Sequence, residues 1–244
     1  LIGAYVFGFI ILAVVVGPWV YHVDAQHLPT GRDFLKLRDT RPIYVALWEA
    51  DAKVNWLHVL GTDNLGRDAL ANMIKGGRTS LAVGWAAMAL ALFFGTMIGV
   101  LSGYFRRLDG VLMRFTDLML SLPLLPLLLV AVTLFRQPLR AAYGPEGGMF
   151  ILIVGIIGIT SWMQTARIVR GEILALKERE FILAARSIGT TPSKIITRHL
   201  LPNIMSPIMV SATLGLATAI ITESALSFLG VGFPSDFPTW GKML

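Results

Sequence analysis

The chain has 244 residues, of which 55% are hydrophobic and only 15% are charged, and its formal net charge is +6. Soluble domains carry about 25% charged residues, so this composition excludes a soluble globular domain and indicates a polytopic membrane protein. The lack of cysteine excludes disulfides, thiolate metal sites and cysteine nucleophiles. In so hydrophobic a chain, the excess of basic residues indicates cytoplasmic loops beside anionic lipid rather than a surface that binds nucleic acid.

Five uncharged runs are long enough to cross a bilayer, which takes about 20 apolar residues per helix. The first run, 1–23, lacks the basic start and the cleavage site of a signal peptide and is interpreted as a retained span. The other runs cover 79–105, 118–135, 147–166 and 199–222. The sequence therefore predicts an all-α polytopic membrane protein with five spans.

The connections between the runs differ in their density of basic residues. Segments 106–117 and 167–198 are short and rich in Lys and Arg, whereas 24–78, 136–146 and 223–244 hold a similar number in twice the length. Because short basic connections stay in the cytoplasm, the first two segments are predicted to be cytoplasmic and the other three extracytoplasmic.

Two patterns within the runs predict how the helices pack. Small residues recur at every fourth position, which lets helices approach closely: Gly95, Gly99 and Gly103 in the second run, and Ser211, Gly215 and Ala219 in the fifth. Pro123 and Pro126 in the third run and Pro207 in the fifth predict bends. Such bends either free carbonyls for other helices or a polar pathway, or only kink a structural helix.

The first extracytoplasmic segment contains a string, GTDNLGRD at 61–68, that superficially imitates a phosphate loop. Arg67 stands in place of the phosphate-binding lysine, and Asp68 in place of the magnesium-binding hydroxyl, so nucleotide binding is not predicted. Asp63 or Asn64 is predicted instead to cap a short helix that ends at Gly76–Gly77 and lies on the membrane surface.

Catalytic and metal-binding patterns are not recognisable in the sequence. The four histidines lack metal-ligand spacing, so neither an enzymatic site nor a metal site is predicted. Asp117 precedes the third run and Glu223 follows the fifth, which makes each a candidate for a pathway, a helix contact or a solvated helix cap. A secondary transporter or channel that uses these carboxylates, and a membrane scaffold without transport, are the alternative functions.

Residues 167–203 predict a cytoplasmic helix, an elbow and a second helix. The first helix runs to about Ile188 and carries an apolar stripe of Phe181, Ala184, Ala185 and Ile188. Gly189 is predicted to end it in a left-handed conformation, and Thr190 or Thr191 to cap a second helix that starts at Pro192 and ends before Pro202. The stripe indicates either an arm that seats in a partner's groove or a loop packed on its own bundle.

The string EFILAARSIGTTPSKIITRHLLPN at 180–203 resembles the EAA loop of ABC-importer permeases, E-A-A-x3-G-x9-I-x-L-P. Ala184, Ala185, Gly189, Leu201 and Pro202 match at the family's spacing, whereas Leu183 replaces the glutamate and His199 the isoleucine. This string, GTDNLGRDALANMIKGGRTSL at 61–81 and ESALSFLGVGFPSDFPTWGKML at 223–244 are together similar to the C-type subunit of dipeptide, oligopeptide and nickel permeases.

The resemblance implies a type I, MetI-like transmembrane bundle in a bacterial inner membrane. Five of the family's six spans are present, so we expect the chain to be missing residues at both ends. It also assigns the outer motif to the family, through Gly61, Thr62, Asp63, Gly66, Arg67 and Asp68.

The resemblance further implies a role as one of two homologous permease subunits, served by an extracytoplasmic solute-binding protein and two cytoplasmic ATPase subunits. ATP and Mg would bind those ATPases, and this chain would bind no cofactor and no nucleic acid. The residues implied in coupling to the ATPases are Glu180, Ala184, Ala185, Gly189, Leu201 and Pro202. The expected substrates are dipeptides or oligopeptides, with nickel chelates and sugars as the alternatives.

Overall fold

The computed structural model describes residues 2–23, 37, 39–47, 55, 57–234 and 237–243, so much of the first part of the predicted extracytoplasmic segment 24–78 lies outside the described residues. The helices are α1 (Ile2–Val20), α2 (Ala69–Tyr104), α3 (Arg106–Ser121), α4 (Leu124–Leu176), α5 (Glu180–Ser187), α6 (Pro192–Ile195), α7 (Leu201–Asn203) and α8 (Met205–Phe228). Short 3₁₀ helices cover Ile43–Leu47 and Trp240–Lys242, and Ile196–Leu200 form a π-helical turn.

Three of the described helices, α2, α4 and α8, are long and apolar enough to cross a membrane. Residues 5–20 of α1 form a shorter apolar helix. The chain divides into two compact units, one formed by 1–82 with 224–244 and the other by 83–223.

The third predicted span is interrupted at Leu122–Pro123, where α3 ends and α4 begins. Leu122 is extended, with φ −74° and ψ 134°, because a residue before proline is disfavoured in the helical region. The interruption confirms the predicted bend, and it shows that the helix boundary does not follow the uncharged run 118–135.

The predicted third and fourth spans share the 53-residue helix α4, which bends sharply at Gly144. Gly144 has φ 79° and ψ 170°, a backbone conformation that glycine adopts readily and residues with a Cβ atom do not. The chain folds back at this point, as the close approach of Gly148 to the carbonyl oxygen of Leu139 shows: a Cβ built on Gly148 would clash with that oxygen. Residues 124–143 and 145–176 therefore form a helical hairpin, and most of the predicted connection 136–146 is helical.

Small residues bring α2 and α4 together in the unit formed by 83–223. A Cβ on Gly95 would lie 2.8 Å from the carbonyl oxygen of Trp162, and one on Gly99 would lie 2.7 Å from that of Ala166. Gly103 continues the row against Ile173. These distances confirm that the glycine stripe of the second run permits backbone approach, and they identify α4 as its neighbour.

In the unit that holds 1–82, Pro18 lies inside α1 and cannot donate the hydrogen bond that the carbonyl of Val14 would accept. The guanidinium of Arg78 replaces this donor: its Nε lies 3.2 Å from the Val14 oxygen, and its Nη2 lies 3.1 Å from the Val15 oxygen. Arg78 therefore ties α1 to α2 through two backbone carbonyls of α1, of which the proline leaves that of Val14 without its helical donor.

Candidate functional site

The elbow predicted at Gly189 is present and has a complete C-terminal cap. Gly189 has φ +78°, and its amide donates to the carbonyl of Arg186 at 2.9 Å. The amide of Thr190 donates to the carbonyl of Ala185 at 3.1 Å. These two hydrogen bonds form a Schellman motif, which ends α5 and directs the chain into α6.

The segment after the elbow is irregular. Thr191 precedes Pro192, which occupies the first position of α6, but no side-chain hydrogen bond caps this helix. The second helix starts at Pro192 and ends at Ile195, before Pro202 as predicted, but the chain stays helical through a π turn at Ile196–Leu200 and through α7, which contains Pro202. Proline has no amide hydrogen and its ring crowds the preceding turn, and a π turn accommodates such an interruption.

The elbow is anchored by a buried apolar cluster within the unit formed by 83–223. Ile182 and Ala185 of α5 are buried together with residues of α2, of α4 and of the segment that enters α8. The other buried members are Val100, Val169, Ile173, Ile195, Leu200, Ile204 and Ile208. This packing couples the orientation of α5 to that of the long helices.

The predicted apolar stripe of α5 is divided between the two faces of the helix. Ala185 is only 7% exposed and packs on its own bundle, whereas Phe181 is 43% and Ile188 82% exposed, with Ala184 exposed between them. We call Phe181, Ala184 and Ile188 the outward stripe. Glu180 lies in the first turn of α5, where its charge favours the positive end of the helix.

A cation–π contact joins α5 to the end of α2, and an ion pair joins α3 to α4. The guanidinium of Arg186 lies 5.5 Å from the ring centroid of Tyr104, at the end of α2. Arg170 donates two hydrogen bonds to Asp109 of α3, at 2.5 and 2.7 Å, and these bonds hold the pKa of the Asp109 carboxyl below its usual value.

The two carboxylates beside the predicted spans have different environments. Asp117 accepts a hydrogen bond from Arg167 at 2.5 Å, and both side chains are more than half exposed, so Asp117 joins α3 to α4 near solvent. Glu223 lies within α8 rather than after it and is fully buried. A solvated cap is therefore the wrong interpretation for Glu223.

The outer motif at 61–68 forms a compact loop. The side chain of Asp63 accepts hydrogen bonds from the amides of Leu65 and Arg67, at 2.9 and 2.7 Å. The amide of Gly66 donates to the Asp63 carbonyl, and Thr62 forms a bridge with Asp68. The amide of Ala69 donates to the carbonyl of Gly61 at 3.1 Å. These contacts account for the motif as a self-supporting turn.

Asp68 caps α2, which corrects two predictions about this region. Its Oδ1 accepts a hydrogen bond from the amide of Ala71 at 2.6 Å, so Asp68 rather than Asp63 or Asn64 is the cap. The helix does not end at Gly76–Gly77 but continues to Tyr104. Both glycines are helical and are approached by Thr239, Val14 and Trp240, so they serve close packing.

Two residues around Asp68 were not predicted from the sequence. Nδ1 of His58 lies 2.6 Å from Asp68 Oδ2, and the hydroxyl of Tyr21 lies 2.7 Å from the same oxygen. Asp68 and His58 are both buried. No sequence pattern signals this cluster, since its members are 10 and 47 residues apart.

Comparison with known proteins identifies the family. Residues 69–244 match the family described as binding-protein-dependent transport system inner membrane component. The dipeptide transport system permease protein DppC of Alkalihalophilus pseudofirmus is 40% identical over 77% of this chain and 58% of its own length. The oligopeptide transport system permease protein OppC is 38% identical in Bacillus subtilis and 33% in Haemophilus influenzae, where 98% of this chain and 69% of the relative are aligned.

The chain spans about three fifths of the length of the DppC and OppC relatives from Alkalihalophilus pseudofirmus and Bacillus subtilis. A structure of the inward-facing MetNI methionine ABC transporter matches with TM-score 0.54 and 20% identity, over 66% of this chain and 76% of that chain. This likeness confirms the predicted fold. With three membrane-capable helices and a family match over 176 of its residues, the chain belongs to the inner-membrane components of binding-protein-dependent transport systems.

Proposed function

We propose that the chain is a permease subunit of an ATP-driven peptide importer, and that it forms half of the translocation pathway. The observation that carries this proposal is the outward stripe of α5, which projects from an elbow anchored in the helical bundle. Exposed apolar side chains on a rigidly held helix favour docking into a groove of a partner protein.

The stripe would contact a cytoplasmic ATPase subunit, with Ala184 at its centre. Ala185 would contribute from the opposite face, because its burial in the apolar cluster fixes the orientation of the stripe. Gly189, Leu201 and Pro202 would shape the elbow behind it, and Glu180 would support the start of α5. Movement of the ATPase would then tilt α5 and the packed long helices as one rigid body.

The remaining components of the importer would be separate subunits. ATP and Mg would bind two ATPase subunits, a homologous permease would complete the pathway, and a solute-binding protein would deliver substrate from outside. The family description, which names a binding-protein-dependent system, supports the solute-binding protein in this composition. The names of the DppC and OppC relatives support dipeptides or oligopeptides as the substrate class.

The test is Ala184→Trp in the complete importer, assembled from full-length subunits in proteoliposomes. A bulky ring at Ala184 would hold α5 off its groove, so we expect peptide uptake per ATP hydrolysed to fall at least several-fold. Gly110→Trp is the matched control, because Gly110 lies in open space on the predicted cytoplasmic side of α3. Normal coupling in Ala184→Trp would contradict the proposed docking surface.

A further inference from the structure

Two arginines occupy an interior row of the helical hairpin in α4. Leu128 and Val132 are fully buried on this row, at a spacing of four residues. The next two positions of the row are Arg136 and Arg140, which are partly buried. A row that begins as apolar core thus continues as two positive charges.

The Nε atoms of both arginines are shielded from solvent, and neither has a hydrogen-bond acceptor among the described residues. A buried donor without an acceptor is destabilising, and two like charges one helical turn apart repel each other. The hairpin therefore tolerates an unfavourable arrangement that an anion between the two guanidinium groups would relieve.

The row also places the arginines away from the lipid. On the same helix, the large apolar side chains of Val130 and Leu134 are 56% and 64% exposed, and both lie two residues from Val132, on the opposite side of the helix. Arg136 and Arg140 instead lie on the first arm of the hairpin, eight and four residues before the turn at Gly144, where Gly148 packs against the backbone of Leu139. Their position favours a small ligand at the end of the hairpin over a lipid phosphate.

We propose that Arg136 and Arg140 bind the C-terminal carboxylate of the transported peptide. This inference rests on the proposed function. A guanidinium pairs with a carboxylate through two parallel hydrogen bonds, and every unmodified peptide carries one such group whatever its side chains. The site would therefore recognise peptides independently of their sequence, at the end of the hairpin predicted to be extracytoplasmic.

The test measures peptide binding by the complete importer, assembled from full-length subunits in nanodiscs. Radiolabelled trialanine is the probe, and unlabelled trialanine and trialanine amide are the competitors. The wild type should bind the free acid about tenfold more tightly than the amide, the loss expected for a charged hydrogen-bonded contact. Arg136→Gln/Arg140→Gln should lower the affinity for trialanine to that for the amide and leave the amide unchanged, whereas Arg136→Lys/Arg140→Lys should retain part of the preference.

Arg106→Gln/Arg107→Gln is the matched control, since it removes two exposed charges from α3. Equal wild-type affinities for acid and amide, an equal loss of both in the Gln variant, or no wild-type binding of trialanine would each overturn the site. Peptide uptake by the wild type in proteoliposomes is measured in parallel. Absence of uptake would refute the peptide importer itself, whereas uptake without a role for the two arginines would refute only the carboxylate site.

Discussion

Gly189 determines the direction of the chain after α5. Its backbone is left-handed, and a Cβ at this position would meet no atom within 4 Å, so any substitution is strained by conformation and not by a clash. A side chain in this conformation costs about 1–2 kcal/mol.

We expect Gly189→Val to loosen the elbow and lower peptide uptake per ATP hydrolysed, while the subunit remains in the membrane. Uptake and ATP hydrolysis are measured together in proteoliposomes. Gly171→Ala is the control, because Gly171 is helical and also lies in open space. Unchanged coupling in Gly189→Val would show that the elbow does not transmit movement.

The ion pair between Asp109 and Arg170 should make the stability of the protein depend on pH. Because the pKa of Asp109 is lower in the folded protein than its ordinary value of 3.8, this contact stabilises the fold above that pH and is lost as the pH falls below it. We expect Asp109→Asn to lower the Tm of the solubilised protein at pH 7, with a difference from wild type that shrinks below about pH 4.

Asp117→Asn is the comparison for Asp109→Asn, since the Asp117 pair is more exposed to solvent. Its effect on Tm should be small, because exposed ion pairs contribute little. An Asp109→Asn protein whose Tm difference from wild type is constant from pH 7 to pH 3 would exclude the ion pair as the cause.

The role of Gly189 can be predicted from the sequence, whereas the contacts of Asp68 and Asp109 cannot. Gly189 is predictable because a glycine after an apolar stripe is a local helix-end signal. The contacts of Asp68 with Tyr21 and His58, and of Asp109 with Arg170, join residues distant along the chain, so local patterns do not reveal them.

The contact between α2 and α4 depends on Gly95, Gly99 and Gly103. We expect Gly99→Val to destabilise the protein by about 1–3 kcal/mol or more, because its Cβ would lie 2.7 Å from the carbonyl oxygen of Ala166. Thermal unfolding in detergent measures the loss. Gly155→Val is the matched control, since nothing lies within 4 Å of that site, and an equal loss in both variants would contradict the close helix contact.

The start of α2 depends on the cap supplied by Asp68. We expect Asp68→Ala to cost about 1 kcal/mol from the cap alone, and more because Tyr21 and His58 lose their acceptor. Asp68→Asn should retain most of the cap, since its amide oxygen can accept the same hydrogen bond. Thermal unfolding compares the two variants, and equal Tm values would show that the cap does not contribute.

At the element scale, hydropathy predicts where apolar helices lie but not where they end. The runs 79–105 and 199–222 fall largely in α2 and α8, whose ends are shifted by caps and packing. The break at Leu122 follows from Pro123, which the sequence shows. The helical structure of 136–143 could not be predicted in this way. The charged residues there suggested a loop, but the backbone remains helical up to Gly144.

For the whole molecule, the orientation in the membrane remains a prediction from charge. The chain contains no cysteine, so single substitutions are specific labelling sites. We expect Gln137→Cys to react with an impermeant maleimide in spheroplasts, and Ser187→Cys to react only after permeabilisation, since both positions are exposed. The opposite pattern would invert the orientation and remove α5 from the ATPase side.

Family membership was predictable because three motifs occur in the family's order, whereas the split of the α5 stripe was not. Ala184 and Ala185 look equivalent in the sequence. In the structure, Ile182 and Ala185 lie on the face of α5 that packs into the apolar cluster, whereas Ala184 lies on the exposed face. Only the packing of the whole 83–223 unit decides which alanine is free to meet a partner.

The hydrogen bond from Arg78 to Val14 has a consequence for the order in which the protein is assembled. Pro18 leaves α1 with an open carbonyl, and its replacement donor lies 64 residues later in the chain. An open carbonyl is costly in lipid, so α1 reaches its most stable state only after α2 has been synthesised and inserted beside it. The insertion of α2 thus completes the hydrogen bonding of α1. If translation stalls between the two helices, the Val14 carbonyl lacks the guanidinium of Arg78 as its donor.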